Sequence, residues 1–180
     1  MTLQEIKVNR DRLAVIIGSK GATKMAVEKK TGTRIEIDSE EGLVLVDSED
    51  PIAVIRTVEF IRAVNRGFSP ERADIILDDE DVILTIMDLS SICTTTKQMD
   101  RFRGRIIGKA GKARSQIEDM TGTKMSVYNK TVAIIGLPEQ AMIAEEAVRM
   151  LLQGLPHANV FAFLDRKKKE AKHNVLDYYY

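Results

Sequence analysis

The chain has 180 residues, enough for one ordinary domain or two small ones, and it carries equal numbers of basic and acidic side chains. Apolar residues make up 44% of the chain and charged residues 30%, which excludes the disordered class. No apolar run approaches the roughly 18 to 20 residues that span a bilayer, and the first residues carry no secretion signal, so a cytoplasmic protein is expected.

Residues that would hold a metal ion or form a disulfide are scarce. Cys93 is the only cysteine, and His157 and His173 lie too far apart for ligand spacing. The stretch at residues 104–110 resembles a nucleotide-binding loop but is one residue too short, and Ala110 offers no hydroxyl to Mg²⁺. We therefore expect no metal, no cofactor and no enzymatic activity.

The charge is segregated along the chain. Residues 7–34 and 97–114 each carry a local excess of six positive charges, whereas residues 36–50 and 71–88 each hold seven acidic side chains. Because the same order occurs twice, the pattern indicates two copies of one unit, each with a basic face and an acidic back.

An internal repeat occurs at an offset of 90 residues. Between residues 16–33 and residues 106–123, eight of 18 aligned positions are identical. The identical residues are two Ile, two Gly, one Glu and the tripeptide Thr-Gly-Thr. Further along, residues 43–46 align with residues 132–135 as a short apolar strand.

The predicted elements follow the same order in both copies. The first copy has a strand at residues 3–8, a helix at about 11–17, a Gly-x-x-Gly turn at 18–21, a helix at 22–30, two strands, and a helix at about 51–66. The second copy has a strand at 82–92, helices at about 97–107 and 112–120 around a turn at 108–111, two strands, and a helix at 138–152. The pattern is βααββα twice, with copies at 1–68 and 82–154, a linker with a short helix at 69–81, and a C-terminal segment at 155–180.

Each Gly-x-x-Gly turn joins two helices and brings free backbone amides to the start of the second one. The helix dipole adds an attraction for phosphate. Ser19, Lys20, Lys109 and Lys112 are placed to reinforce this attraction. Because both turns have Ile-Ile before them and Thr-Gly-Thr after them, an anion site is favoured over a plain helix cap.

With its Ile-Ile-Gly-x-x-Gly turns, the βααββα pattern resembles the type I KH domain, present in tandem over most of the chain. The resemblance implies an α+β fold in which each copy has a three-stranded antiparallel sheet packed on three helices, with a C-terminal helix added. It also implies that each turn clamps the backbone of about four single-stranded nucleotides, whose bases lie on an apolar groove floor.

The resemblance further implies which residues contact RNA. In the first copy they are Gly18, Ser19, Lys20, Gly21 and Lys24. In the second copy they are Arg101, Arg103, Arg105, Ile107, Gly108, Lys109, Ala110, Gly111, Lys112, Arg114, Lys124 and Met125. The groove-floor candidates are Ile17, Ile35, Ile107 and Met125, for which a place in the core is the alternative. The second copy is expected to bind more tightly, because arginine both pairs with phosphate and stacks on bases.

Residues 101–112 (RFRGRIIGKAGK) and 130–136 (KTVAIIG) resemble the partner-of-NOB and Krr group of ribosome-assembly factors in its archaeal form. This resemblance implies binding to the 3′ end of immature small-subunit ribosomal RNA and cooperation with the NOB endonuclease, a PIN-domain enzyme. Other assembly factors and translation-initiation factors are further implied partners, and a membrane is not. The chain has neither the N-terminal extension nor the degraded first loop of eukaryotic members, although Ala110 departs from the usual small polar or basic loop residue.

The sequence alone does not exclude two other functions. One is a general tandem-KH regulator of messenger RNA, and the other is a structural scaffold whose loops have lost RNA. Whether the first copy binds RNA is also undecided. After residue 156, the sequence predicts a helix at about 157–172, a basic run, and three terminal tyrosines that could stack on bases or dock on a partner.

Overall fold

The computed structural model describes the backbone of residues 1–179 and, within them, every side chain except those of Asp177 and Tyr179. The chain divides into two compact units, the first spanning Met1–Leu84 and the second beginning at Thr85. In the described part of the chain, no helix is both long and apolar enough to cross a membrane. The role predicted for the terminal tyrosines falls partly on Tyr180 and on the Tyr179 side chain, which lie outside the described residues.

The first unit has a βααββα core followed by two short helices. Its elements are β1 (Thr2–Lys7), α1 (Arg10–Ile17), a turn of 3-10 helix (Ser19–Gly21), α2 (Ala22–Thr31), β2 (Arg34–Asp38), β3 (Leu43–Ser48), α3 (Pro51–Asn65), α4 (Pro70–Ala73) and α5 (Ile75–Asp78). The sheet is antiparallel in the order β1-β3-β2, with Ile35 opposite Val46. Side chains alternate across the strands, so Ile35, Val44 and Val46 face the core while Glu36 is exposed.

The second unit repeats this arrangement and ends in a long helix. Its elements are β4 (Ile83–Asp88, which begins two residues before the boundary at Thr85), α6 (Thr96–Ile107), a turn of 3-10 helix (Lys109–Gly111), α7 (Lys112–Thr121), β5 (Lys124–Tyr128), β6 (Thr131–Gly136), α8 (Pro138–Leu152) and α9 (His157–Tyr179). The strand order is β4-β6-β5. The prediction of an α+β fold with two tandem βααββα copies, each with a three-stranded antiparallel sheet packed on helices, is confirmed.

The core of the second unit joins the helices to one face of the sheet. Its fully buried side chains include Ile106, Ile117, Met125, Ile134, Val148, Val160 and Leu164. Burying one such side chain stabilises a fold by about 1.5–3 kcal/mol. Because Val160 and Leu164 belong to α9, the first turns of this helix are part of the core.

Three details of the predicted elements are wrong. The C-terminal helix runs to Tyr179 and does not end near residue 172. β4 ends at Asp88, because the backbone turns at Leu89, whose carbonyl accepts hydrogen bonds from the N–H groups of Ile92 and Cys93.

The third error concerns the alignment of the two copies. Leu43 of β3 aligns with Thr131 of β6, one residue before the position that the sequence repeat indicated. The reason is the β2–β3 connection of four residues (39–42), which is two residues longer than the β5–β6 connection (129–130). It lowers the offset between the copies from 90 to 88, whereas pairing residue 43 with residue 132 assumes an offset of 89. Since the period of a strand is two residues, this shift decides which side chains face the core.

The identical Thr-Gly-Thr segments end α2 and α7. Gly32 and Gly122 follow these helices with φ angles of 70° and 72°, the left-handed conformation in which glycine commonly ends a helix. The hydroxyl groups of Thr31 and Thr121 donate hydrogen bonds of 2.8 and 2.7 Å to the carbonyl four residues earlier. This part of the repeat therefore has a structural explanation.

Candidate nucleic-acid interface

Two four-residue loops, the first loop beginning at Gly18 and the second loop at Gly108, connect the first two helices of each unit with nearly the same backbone geometry. Gly18 has φ 75° and ψ 174°, and Gly108 has φ 73° and ψ 178°. Lys20 and Ala110 both have φ 53°, which residues other than glycine seldom adopt. Since different side chains share one backbone path, the backbone is the common feature of the two loops.

The first glycine of each loop lies against the helix that follows. A Cβ atom added to Gly108 would lie 2.6 Å from the Cβ of Ala113, and one added to Gly18 would lie 2.7 Å from the amide nitrogen of Thr23. Gly111, by contrast, has open space around it and a φ of 73°. Gly18 and Gly108 are therefore required by close packing as well as by φ, and Gly111 by φ alone.

Exposed residues and free amides meet at the start of α2 and α7. The middle residues of the loops, all exposed, are Ser19, Lys20, Lys109 and Ala110. In the second loop, the N–H groups of Gly108 and Gly111 donate hydrogen bonds to backbone carbonyls. The N–H groups of Lys109 and Ala110 donate none within the described residues. Because the positive end of the α7 dipole lies beside these amides, the loop can accept an anion such as a phosphate oxygen.

A glutamate shared by the two copies ties the second helix of each unit to the next strand. Oε1 of Glu118 accepts a hydrogen bond of 2.7 Å from the N–H of Met125, and Oε1 of Glu28 accepts one of 2.7 Å from the N–H of Ile35. These bonds hold β5 beside α7 and β2 beside α2, the two helices that start at the loops. The glutamate identity in the repeat therefore sets the geometry between loop and strand.

The other predicted basic residues differ in how much of their side chain is available. Arg101, Lys112 and Lys124 lie on α6, α7 and β5, which pack against one another, and their charged groups have no partner among the described residues. Lys24 pairs with Glu28 at 3.5 Å. These three cations, on elements that pack against one another in the second unit, are thus available to a ligand.

Two further arginines of the second unit have an unsatisfied donor. Arg103 donates a hydrogen bond of 2.9 Å to the carbonyl of Asn129, but its Nε is buried without a partner. The Nε of Arg114 is likewise buried and without a partner.

In the described residues, no group of His, Cys, Asp and Glu side chains could hold a metal ion.

Arg105, one of the residues predicted to contact RNA, also has a role in the fold. Its Nε donates a hydrogen bond of 3.1 Å to the carbonyl of Leu151, and Nη2 donates one of 2.5 Å to the carbonyl of Leu155. These carbonyls lie at the end of α8, and Arg12 makes the equivalent pair of hydrogen bonds at the end of α3. Because Nε and Nη2 are bound within the fold, Arg105 is not among the contacts proposed below.

The groove-floor candidates divide into two kinds. Ile17 and Ile107 are half-buried beside the loops, whereas Ile35 and Met125 are 2% and 0% exposed and belong to the core. Met125 is therefore not accessible to a base in this structure.

Sequence reasoning missed the accessible residues of the same strands. Ile37 and Val127 lie two positions after the buried pair, on the same face of β2 and β5, and both are half-buried. The alternation of polar and apolar residues in these strands was the signal that could have identified them.

Replacing Arg105 with methionine (R105M) should lower the free energy of unfolding of the second unit by about 2 kcal/mol, because two carbonyls lose hydrogen bonds from a charged donor. Urea unfolding followed by tyrosine fluorescence measures this loss. R101M is the matched control, since Arg101 is exposed, and it should change the stability by less than about 0.5 kcal/mol. A loss that is equal in the two variants would contradict the structural role of Arg105.

Comparison with known proteins gives matches to both units. A family model described as "KH domain" matches residues 3–63, and one described as "Eukaryotic type KH-domain (KH-domain type I)" matches residues 83–169. A KH domain-containing protein of Methanocaldococcus jannaschii is 39% identical over 174 residues, which cover 95% of this chain and 76% of that protein.

Eukaryotic relatives match over a smaller part of their length. The pre-rRNA-processing protein pno1 of Schizosaccharomyces pombe is 27% identical over 129 residues, which cover 71% of this chain and 54% of that protein. The match thus spans about half the length of the eukaryotic protein.

Two solved structures from Pyrococcus horikoshii OT3 have the same fold along most of the chain. Dim2p is 45% identical with a TM-score of 0.86, covering 92% of this chain and 99% of that chain. A chain of the a/eIF2alpha-aDim2p-rRNA complex is 46% identical with a TM-score of 0.87, covering 94% of this chain and 95% of that chain. With two KH domains and these relatives, the chain belongs to the Dim2 and PNO1 family of KH-domain ribosome-assembly factors.

Proposed function

We propose that this protein binds single-stranded RNA through its Gly-x-x-Gly loops during ribosome assembly, and that its target is the 3′ end of small-subunit ribosomal RNA. The observation that carries the proposal is the second loop, where the amides of Lys109 and Ala110 donate no hydrogen bond within the described residues and an exposed ammonium group lies beside them. A phosphate oxygen accepts hydrogen bonds from such amides and is attracted by the dipole of the following helix.

The proposed contacts keep most of the residues implied by the resemblance. In the second copy they are Arg101, Arg103, Ile107, Gly108, Lys109, Ala110, Gly111, Lys112, Arg114 and Lys124, with Val127 added. In the first copy they are Gly18, Ser19, Lys20, Gly21 and Lys24, with Ile37 added. Arg103 and Arg114 stay in this set because each side chain is half-buried, so that part of it is accessible to RNA.

The comparisons support the choice of ribosomal RNA and of an initiation factor as partners. The solved complex from Pyrococcus horikoshii contains rRNA and a/eIF2alpha together with Dim2p, and the yeast relative is named a pre-rRNA-processing protein. We therefore propose ribosomal RNA and an initiation factor as partners of this chain, which itself carries out no catalysis. The NOB endonuclease is a further proposed partner, which rests on the resemblance of residues 101–112 and 130–136 to the partner-of-NOB group. The domain limits at 1–68, 69–81, 82–154 and 155–180 and a cytoplasmic location stay predictions.

Fluorescence anisotropy with three labelled RNAs of equal length at one salt concentration tests the proposal. The RNAs are the 3′ end of small-subunit ribosomal RNA, an unrelated single strand and a duplex. We expect tightest binding to the ribosomal strand and none to the duplex. Equal binding to both single strands would favour a general messenger-RNA regulator, and no binding to any of the three would favour a scaffold.

Purified NOB endonuclease tests the proposed protein partner. When it is added to the complex of this protein with the ribosomal strand, the anisotropy should rise further, because a ternary complex tumbles more slowly. NOB that raises the anisotropy by the same amount without this protein present would contradict the partnership.

The salt dependence of RNA binding should report how many phosphates the loops neutralise. With roughly three phosphates per copy, the slope of log K against log salt concentration is expected to be about −2 for one copy and about −4 for two, from about −0.7 per phosphate on a single strand. Anisotropy titrations between 50 and about 300 mM salt measure the slope. A slope near zero would exclude the phosphate clamp.

A further inference from the structure

A groove with a volume of about 660 Å³ runs along the second unit between the end of α7, the start of α8 and the second half of α9. Its apolar lining consists of Met120, Ile143, Leu164, Ala171, Val175 and Leu176. Leu164 is 1% exposed and anchors α9 to the core, whereas Val175 and Leu176 are 58% and 57% exposed. The groove therefore has a packed end and an open end that leaves apolar side chains exposed.

The open end lies outside the KH fold. The KH family model matches this unit up to residue 169, so Ala171, Val175 and Leu176 belong to an addition to that fold. In the first unit, the helices that follow α3 are only four residues each, and no counterpart of this half of α9 exists among them.

The equivalent space in the first unit is bridged by charges. Lys30 at the end of α2 forms ion pairs of 2.8 Å with Asp74 and 2.6 Å with Asp78, and these hydrogen bonds raise the pKa of Lys30. Met120 occupies the position of Lys30 in the second copy, so the groove there has an apolar residue in place of the bridging cation. The two copies thus use this face differently.

One wall of the groove carries charge that the protein itself does not neutralise. Lys168 and Lys172 lie one turn apart on α9, and within the described residues neither has an ion-pair or hydrogen-bond partner. The neighbouring cations are paired, Lys167 with Glu170 at 2.9 Å and Lys169 with Asp165 at 2.7 Å. The lining also includes Asp119 on α7, so an occupant of the groove would be favoured by carboxylates on the side that faces α9 and not on the side that faces α7.

We infer that this groove docks an amphipathic helix of a protein partner, with apolar residues toward the groove and acidic residues along the edge that faces Lys168 and Lys172. From Leu164 to Leu176 the wall is about 18 Å long at about 1.5 Å per residue, which matches about three turns of helix. Such a helix would place anchors at positions i, i+3 or i+4, and i+7 in the groove.

RNA fits this groove less well than a protein helix. Its lining contains no aromatic or arginine side chain, the residues on which bases stack in single-strand sites. The groove also begins at the C-terminal end of α7, about 14 Å along the helix from the second loop at about 1.5 Å per residue. Both sites can therefore be occupied at once, and the docking site goes beyond the proposed RNA function.

Amide chemical shifts of the ¹⁵N-labelled full chain test this docking site. The probe is a synthetic 16-residue amphipathic peptide with leucine at i, i+3, i+4 and i+7 and glutamate along one edge, compared with the same peptide carrying lysine. We expect the glutamate peptide to shift the amides of Met120, Ala171 and Val175 and to bind at least fivefold more tightly than the lysine peptide.

Charge reversal on α9 provides the decisive comparison. K168E/K172E should reverse the preference between the two peptides, whereas R166E/K169E, with the same change in net charge outside the groove lining, should leave it unchanged. V175S/L176S alters only exposed positions and should abolish the shifts without affecting the fold.

Three outcomes would overturn the inference. The first is the absence of shifts at the groove with either peptide, and the second is an unchanged preference in K168E/K172E. The third is a shift of the same amides by single-stranded RNA at equal concentration, which would make the groove part of the RNA surface. If the protein failed to bind RNA in the anisotropy assay but still bound the peptide, the proposed RNA function of the loops would be contradicted and the docking site would stand.

Discussion

Replacing Lys109 and Ala110 together with aspartate (K109D/A110D) should weaken the binding of single-stranded RNA about tenfold in 0.1 M salt. The variant changes the loop by three negative charges, each of which costs about 0.8 kcal/mol at about 5 Å from a phosphate in water. Screening reduces the sum to about 1.5 kcal/mol, and about 1.4 kcal/mol corresponds to a factor of ten in affinity.

The fold should tolerate this change. Both side chains are exposed, and aspartate adopts the positive φ of Ala110, 53°, more readily than most residues. The far-UV circular dichroism spectrum should therefore match that of the unchanged protein. Anisotropy at fixed salt, measured on the same preparation, gives the loss of affinity.

Two variants with the same change in charge complete the experiment. S19D/K20D alters the corresponding positions of the first loop and measures what that copy contributes to binding. A162D/K169D places the same charges on exposed positions of α9 and should change the affinity less than about twofold at this ionic strength. If A162D/K169D were as harmful as K109D/A110D, the effect would be one of net charge, and the loop assignment would be wrong.

The loops were predictable from the sequence because their requirements are local. Gly18 and Gly108 must be glycine for φ and for the contact with the next helix, and both conditions are set within five residues. The preceding Ile-Ile pair also follows from helical geometry, with Ile106 in the core and Ile107 at the surface. Because this local pattern occurs in both copies, it was sufficient to predict the KH fold.

The role of Arg105 depends on contacts that no local pattern encodes. Its guanidinium bonds to carbonyls 46 and 50 residues further along the chain, at the end of α8. From sequence alone it is one more cation in a basic cluster. Arg12 plays the same part in the first unit from a position one helical turn earlier, so the repeat alignment does not pair the two arginines.

The sequence contains a signal for the full length of α9. The segment after residue 156 contains neither glycine nor proline, the residues that usually end a helix. Within it, Asp165 and Arg166 form ion pairs with Lys169 and Glu170 at a spacing of four residues, which supports a helix. The helical continuation from residue 172 to Tyr179 creates the open end of the groove described above.

Replacing Gly108 with alanine (G108A) should destabilise the second unit by about 3 kcal/mol, whereas G111A should cost only about 1 kcal/mol. At Gly108 the new Cβ would meet Ala113 at 2.6 Å, and φ 73° with ψ 178° is a conformation that glycine alone adopts readily. At Gly111 the Cβ enters open space, so the cost is that of a left-handed alanine. The loss of stability on replacement with alanine is thus expected to be about three times larger at Gly108 than at Gly111.

Urea unfolding monitored by tyrosine fluorescence is suited to this comparison. The chain has no tryptophan, and its four tyrosines, at position 128 and positions 178–180, all follow Thr85, so the signal reports on the second unit. G108A should also lose RNA affinity, because relieving the contact with Ala113 moves the amides away from the start of α7, while G111A should retain more of it. Equal losses of stability at the two positions would contradict the close packing of Gly108, and with it the backbone geometry on which the phosphate site depends.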